Sequence, residues 1–326
     1  MVRNRDNAGR SLLRLSIAFA ALAIGAAPTY AHAFCRTTTV SVPADYDPTG
    51  GCFTQGNVLW WRNACVGYSI QKNASRQVSL PLAEQAVATA FAKWTGTACR
   101  TSLGGNANSN ASSRVSIDVR DEGPVTCDQV QYNQSQPNQH VILFRDGAWP
   151  YTDANNTLAL TTVTFDPDNG ELYDADMEIN SSPGITLTVS GPVAAGGYDF
   201  ESVVTHETGH FLGMAHSPDS RATMFARYVQ GSTSMRNLSE DDVNGICAAY
   251  PPDGTRTTSV GTPVSEDVCD PTPRHGFSTQ CAQPQSSCIH LAIGGAVPGT
   301  RMALAAVGVF VCALALRRRR GVSASH

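Results

Sequence analysis

The sequence predicts an α+β domain spanning about residues 55–251. Three observations carry that expectation: several strand-length apolar runs, helical patterns before and after them, and strong turn chemistry between two of the strands. Val66–Ile70 is the first strand candidate. Ser79–Trp94 follows as a helix, with Leu82, Ala86, Ala90 and Trp94 on one row and Ala83, Val87 and Phe91 on the next. Val115–Val119 and Val141–Phe144 read as further strands. Thr157–Phe165 and Leu172–Ile179 are two more, separated by Asp166-Pro167-Asp168-Asn169-Gly170, a run built for a turn. Phe200, Val203, Val204, Phe211 and Leu212 then recur at helical spacing behind Asp199, an N-cap residue type. A last helix opens at Ser239, with Asp242 three residues on in capping-box position, and Pro251 and Pro252 end it.

Outside this domain the two ends speak of export. Arg3, Arg5, Arg10 and Arg14 precede an apolar run from Leu15 to Ala27, and Ala31-His32-Ala33 is a small-residue cleavage pattern. Residues 1–33 therefore read as a signal peptide and Phe34 as the mature start, with 34–54 an N-terminal extension. Ten cysteines fit an oxidising compartment. Setting Cys312 aside leaves an odd number outside, so at least one is unpaired or joins another chain; for Cys35 a disulfide is expected. Residues 252–300, rich in Pro, Ser, Thr and Gly and holding Cys269, Cys281 and Cys288, read as an extended stalk that disulfides can staple. Residues 301–320 combine an apolar run with Arg317–Arg320. That run is short against the roughly 20 residues of a membrane span, and its arginines favour a cytoplasmic tail. A permanent membrane anchor and a cleaved C-terminal sorting signal of bacterial type both stay open. Net charge is −4 with both signs interspersed, which leaves no nucleic-acid footprint. The expectation is a secreted or cell-surface monomer.

The chemistry concentrates in His206-Glu207-Thr208-Gly209-His210-Phe211-Leu212-Gly213-Met214-Ala215-His216. Histidines four apart on a helix face one way and can grip one zinc ion through ring nitrogens at about 2.0–2.1 Å. Glu207, next to the first of them, is placed as a general base rather than a ligand. Gly213 lets the chain leave the helix in a conformation costly for other residues, so that His216 returns as the third ligand.

These five positions resemble the extended motif of the metzincin metalloproteases. Met224, eight residues beyond His216, matches the methionine turn of the matrixin branch, which implies a soft apolar floor beneath the metal. Ser217 after the third histidine also matches matrixins, and Ala226 stands where other branches carry a metal-ligating tyrosine. The resemblance implies a twisted mixed sheet with an active-site helix and a C-terminal helix. It further implies Tyr228 on the wall of the specificity pocket, Ser202 at the position that sets pocket depth, and Leu158-Ala159 as the sheet edge that pairs with substrate backbone. Two departures stand out. Residues 157–180 contain none of the histidines that hold a structural zinc in animal matrixins, and no PRCGxPD-type inhibitory segment is present. Asp166, Asp168, Asp174 and Asp176 offer oxygen ligands to Ca2+; a solvated acidic turn is the competing reading. The expected activity is zinc-dependent hydrolysis of protein or peptide substrates. The alternative is a noncatalytic adhesin that keeps zinc structurally.

Overall fold

A computed structural model describes residues 34–99, 114–257, 263–265, 269–282 and 322–325. Its centre is a mixed sheet ordered β4-β5-β3-β1-β2, formed by β1 (Cys65–Ile70), β2 (Asp118–Asp121), β3 (Val141–Phe144), β4 (Ala159–Phe165) and β5 (Leu172–Ile179). β1 runs parallel to β2 and β3, and β3 parallel to β5; β4 is antiparallel to β5 along the turn at 166–170. Short ladders join β6 (Leu187–Thr188) to β7 (Tyr198–Asp199) and β8 (Thr255–Thr257) to β9 (Pro263–Ser265). A C-terminal strand, β10 (Val322–Ser325), pairs with Thr161–Thr164 of β4. This is the expected α+β fold. β2 starts three residues later than the alternation suggests: Val115 and Ile117 are buried, but the chain comes alongside Cys65 only at Asp118.

Helices α1 (Leu80–Thr95), α2 (Phe200–Phe211) and α3 (Glu240–Ala249) supply the other layer. The buried face of α1 is Ala83, Val87, Ala90, Phe91, Trp94 and Thr95, whereas Leu82, which the pattern puts on a core row, is exposed in the first turn. Trp94 is completely buried, and its indole Nε1 donates to the Thr205 carbonyl at 2.8 Å, fixing α1 against α2. Trp61 does the same from the loop before β1, donating to the Phe211 carbonyl at 2.7 Å. Apolar packing thus sets the depth of α2, and the indole bonds tie it to α1 at Thr205 and to the loop before β1 at Phe211.

The second face of the sheet is polar and still buried. Asp174, Asp176 and Glu178 alternate along β5 and so project to one side. Backbone N–H groups of Gln131 and Val141 donate to Asp176, each at 2.8 Å, and Arg145 and Tyr151 hold Glu178. Among the described residues Asp174 Oδ1 has no hydrogen-bond partner, and it lies 3.8 Å from His140 Nε2, which has none either. Burial first, and the neighbouring carboxylate second, raise Asp174 well above the usual range; burial pushes Asp176 up to about 8. A carboxyl with a raised folded pKa favours the fold fully below its unfolded value, near 3.8, and that contribution is lost as pH climbs through the folded value. With a chelator present throughout, melting temperature should therefore fall as pH rises from about 5 to 9, and less steeply in Asp174→Asn. Equal slopes would show that the Asp174 carboxyl does not carry this dependence.

What covers this face is a departure from the sequence reading. Residues 269–282, expected in an extended stalk, fold back on the domain. Cys269 is bonded to Cys65 and Cys281 to Cys127. The Pro271 and Gly276 carbonyls accept from Gly67 and Asn138 N–H, each at 2.9 Å, and the Thr279 carbonyl accepts from Thr126 N–H at 2.7 Å. Disulfide stapling was expected of these cysteines; that their partners lie on the domain, at Cys65 and Cys127, is not legible from a composition rich in Pro, Ser and Thr. Cys99–Cys247 and Cys35–Cys52 complete four disulfides among the described residues; Cys35 is paired as expected. Cys288, Cys312, the signal-peptide region and the apolar run at 301–320 lie outside the described residues. Among the described residues no helix is long and apolar enough to cross a membrane.

Candidate metal centre and substrate cleft

The candidate centre is built on the last two turns of α2 and the loop that follows. Asp199 caps the helix by accepting from Ser202 N–H at 2.9 Å, and is itself gripped by Arg236 through both carboxylate oxygens. The helix stops in a Schellman arrangement: Gly213 N–H reaches the His210 carbonyl and Met214 N–H the Gly209 carbonyl, both at 2.9 Å. Gly213 sits at φ +86°, the left-handed region the sequence reading assigned to it. From there the chain doubles back and brings His216 to the two helical histidines.

His206, His210 and His216 offer ligand atoms that all lie within 4.8 Å of one another. His206 Nδ1 bonds the Thr223 carbonyl at 2.7 Å, and His210 Nδ1 the Met214 carbonyl at 2.8 Å. A carbonyl accepts only, so each Nδ1 carries the proton and each Nε2 keeps its lone pair. Burial lowers both imidazoles, His206 to about 4 and His210 to about 3, and so keeps them neutral as a metal requires. His210 and His216 Nε2 are 3.2 Å apart, against about 3.3 Å for two nitrogens on a tetrahedral zinc with bonds near 2.05 Å. The donor set fits zinc.

Glu207 points the other way around the helix, into the same cavity. It is buried, and Thr161 Oγ1 of β4 donates to its Oε2 at 2.7 Å. Burial raises its pKa to about 7, with the Thr161 bond opposing. Met224 packs against α2 at Gly209: a Cβ on Gly209 would collide with its Sδ and come within 2.7 Å of Trp94. Gly209 is thus required by close approach, a role the motif alone does not reveal.

The loop carrying Met224 is tied down from α3. Asp242 accepts from Thr223 N–H at 2.8 Å and Met224 N–H at 3.0 Å while also closing the capping box with Ser239. Ser217 donates to Asp241 at 2.6 Å. The helix cap was legible from Ser239 and Asp242; the long-range grip on the methionine turn was not, because no local pattern encodes it. Thr161, Thr223 and Asp241 were missed for the same reason.

A cleft of about 230 Å³ opens beside the centre, lined by Leu158, Ala159, Val203, Tyr228 and Met235 as well as His206, Glu207 and His216. Tyr228 is fixed at its hydroxyl, which accepts from Asp199 N–H at 3.0 Å and donates to the Ser232 carbonyl. The β10 pairing ends at Thr161, short of Leu158 and Ala159. Ser202 is fully buried, with Val203 rather than Ser202 on the cleft wall. The four aspartates suggested for calcium do not converge. Asp166 is engaged within its turn by Asp168 N–H and Tyr173 OH, each at 2.8 Å, whereas Asp174 and Asp176 are buried in the sheet face. Among the described residues, the histidine trio is the one group of three or more His, Cys, Asp or Glu close enough to share an ion.

A helix-borne pair of histidines, a third brought in by a left-handed turn and Met224 packed against the same helix match a zinc-centred α+β class. Residues 60–251, more than half of the chain, match the family model described as matrixin, peptidase M10, and the chain belongs to that family. It is 42% identical over 73 residues to an interstitial collagenase of Bos taurus (22% of this chain, 15% of the relative). It is 39% identical over 87 residues to metalloendoproteinase 1 of Glycine max (26% and 27%) and 35% identical over 114 residues to matrilysin of Homo sapiens (34% and 37%). The matched region spans between 15% and 37% of the length of these relatives.

Proposed function

We propose that the chain is an exported zinc-dependent endopeptidase, with His206, His210 and His216 as ligands and Glu207 as general base. The observation that carries this reading is the Glu207 carboxyl, buried in the cleft with the histidines and tuned to about 7. A structural zinc site has no use for such a group, which weighs against the adhesin alternative. Bound zinc supplies a Lewis acid that polarises the scissile carbonyl and acidifies water. Glu207 takes the proton of the attacking water and delivers it to the leaving amine; Thr161 holds Oε2 in place for both transfers. Leu158 and Ala159 offer backbone groups to an extended substrate, and Val203 and Tyr228 form one wall for the side chain after the cut.

The test is digestion of a denatured protein mixture by the purified, disulfide-intact chain, followed by mapping of the cut sites. Cuts should fall before large apolar residues and cease on chelation. No cleavage with zinc bound would favour the adhesin.

Export and surface attachment rest on the charge pattern at residues 1–33 and 301–320. Deleting residues 302–320, which spares β10, should move activity from cells to medium; equal partitioning of both chains would remove the attachment from this reading.

A further inference from the structure

The segment between the second and third histidines is held only in part by its own helix. Gly213 and Met214 N–H stay with α2, but the Gly213 carbonyl, the Met214 carbonyl and Ala215 N–H all take partners from residues 35–37, far away in sequence. Thr37 N–H donates to the Gly213 carbonyl at 3.0 Å, and Ala215 N–H donates to the Cys35 carbonyl at 3.0 Å. Arg36 and Met214 form an antiparallel bridge between these bonds. Arg36 adds its guanidinium, Nε to the Gly213 carbonyl at 3.3 Å and a second nitrogen to the Leu59 carbonyl. Thr37 Oγ1 donates to the Met214 carbonyl at 2.9 Å, the same oxygen that takes His210 Nδ1. On its other side the segment is paired to the chain before β1, with Leu59 N–H donating to the Thr37 carbonyl at 2.8 Å, and the Cys35–Cys52 disulfide closes it.

We infer that Cys35–Thr37 is a clasp that sets the geometry of the metal centre, with Arg36 and Thr37 as positioning residues for His210 and His216. Neither touches the cleft. Thr37 acts on His210 through the shared Met214 oxygen, and the Cys35 carbonyl acts on His216 through the adjacent Ala215 peptide. A guanidinium spanning Gly213 and Leu59 locks the left-handed turn against the chain before β1, where a Cβ on Gly213 would come within 2.9 Å of the Leu59 oxygen. Partners one bond removed from metal ligands are worth about 10–100-fold in metal affinity.

This inference rests on the zinc reading of the three histidines, and its test separates the two. The zinc dissociation constant is measured on the full disulfide-bonded chain by competition with a chelating dye, zinc alone being the probe. Thr37→Val keeps size and backbone; Arg36→Gln removes the cation and its fork; Arg36→Lys keeps one donor. Thr37→Val and Arg36→Gln should each raise the constant about tenfold, with Arg36→Lys recovering part of the loss. Unfolding midpoints should drop more for zinc-loaded than for zinc-free protein, a difference that general loosening would not produce. Constants within about twofold of the parent chain in both variants, or equal losses of stability with and without zinc, would overturn the clasp. A parent chain that binds no zinc would instead overturn the reading of the centre itself.

Discussion

Glu207→Gln is expected to retain its zinc and lose peptide hydrolysis by about 10²–10⁴-fold, the range that a positioned acid–base group commands. The amide keeps the size of the carboxyl and can still meet Thr161 Oγ1, so the cleft should hold its shape. It cannot accept the proton of water or return it to the leaving amine. Metal content by atomic absorption and turnover of an unstructured peptide are the two readouts. Loss of metal in this variant would make Glu207 a ligand and displace it from the role assigned above.

His210→Ala should do the reverse, emptying the centre before any chemistry is possible. His210 is buried, and its ring packs against both His206 and His216, with centroids 4.9 and 4.8 Å away. Its loss should weaken zinc binding well beyond the roughly 10–100-fold that outer partners control, and with it the stabilisation that bound metal gives the folded chain. His206→Ala and His216→Ala should follow the same course. Full zinc content in His216→Ala would reduce the site to two histidines and a ligand from elsewhere.

The centre was legible because its parts are local. Histidines four apart, a carboxylate beside the first and a glycine three residues past the second lie on one helix and its exit turn, so spacing alone places them. Strand runs such as Val141–Phe144 and Leu172–Ile179 were legible from their apolar and alternating character, and the cap at Ser239 from its residue types. What escaped was whatever depends on distant segments meeting. Thr161 on β4, Asp242 beneath the methionine turn and the clasp at Cys35–Thr37 are ordinary residues until the fold brings them to the histidines. β5 misled for a related reason. Its aspartates look like a solvent or cation face in sequence, yet the chain at 127–140 and at 269–282 covers that face, and neighbouring backbone groups take the role water would have had.

The cross-links from Cys65 to Cys269 and from Cys127 to Cys281 give the chain a direction in time. A polypeptide that crosses a membrane amino end first presents its central strands and all three histidines well before residues 269 and 281 emerge. Until then Cys65 and Cys127 stand without their partners and the carboxylate face of β5 lacks its cover. Each bond spans 154 residues or more and removes on the order of 5 kcal/mol of chain entropy from the unfolded state. In a chain exported this way, as proposed above, covalent closure would come after the rest of the domain has passed, and a chain ending at Pro252 would have every candidate catalytic residue and neither bond.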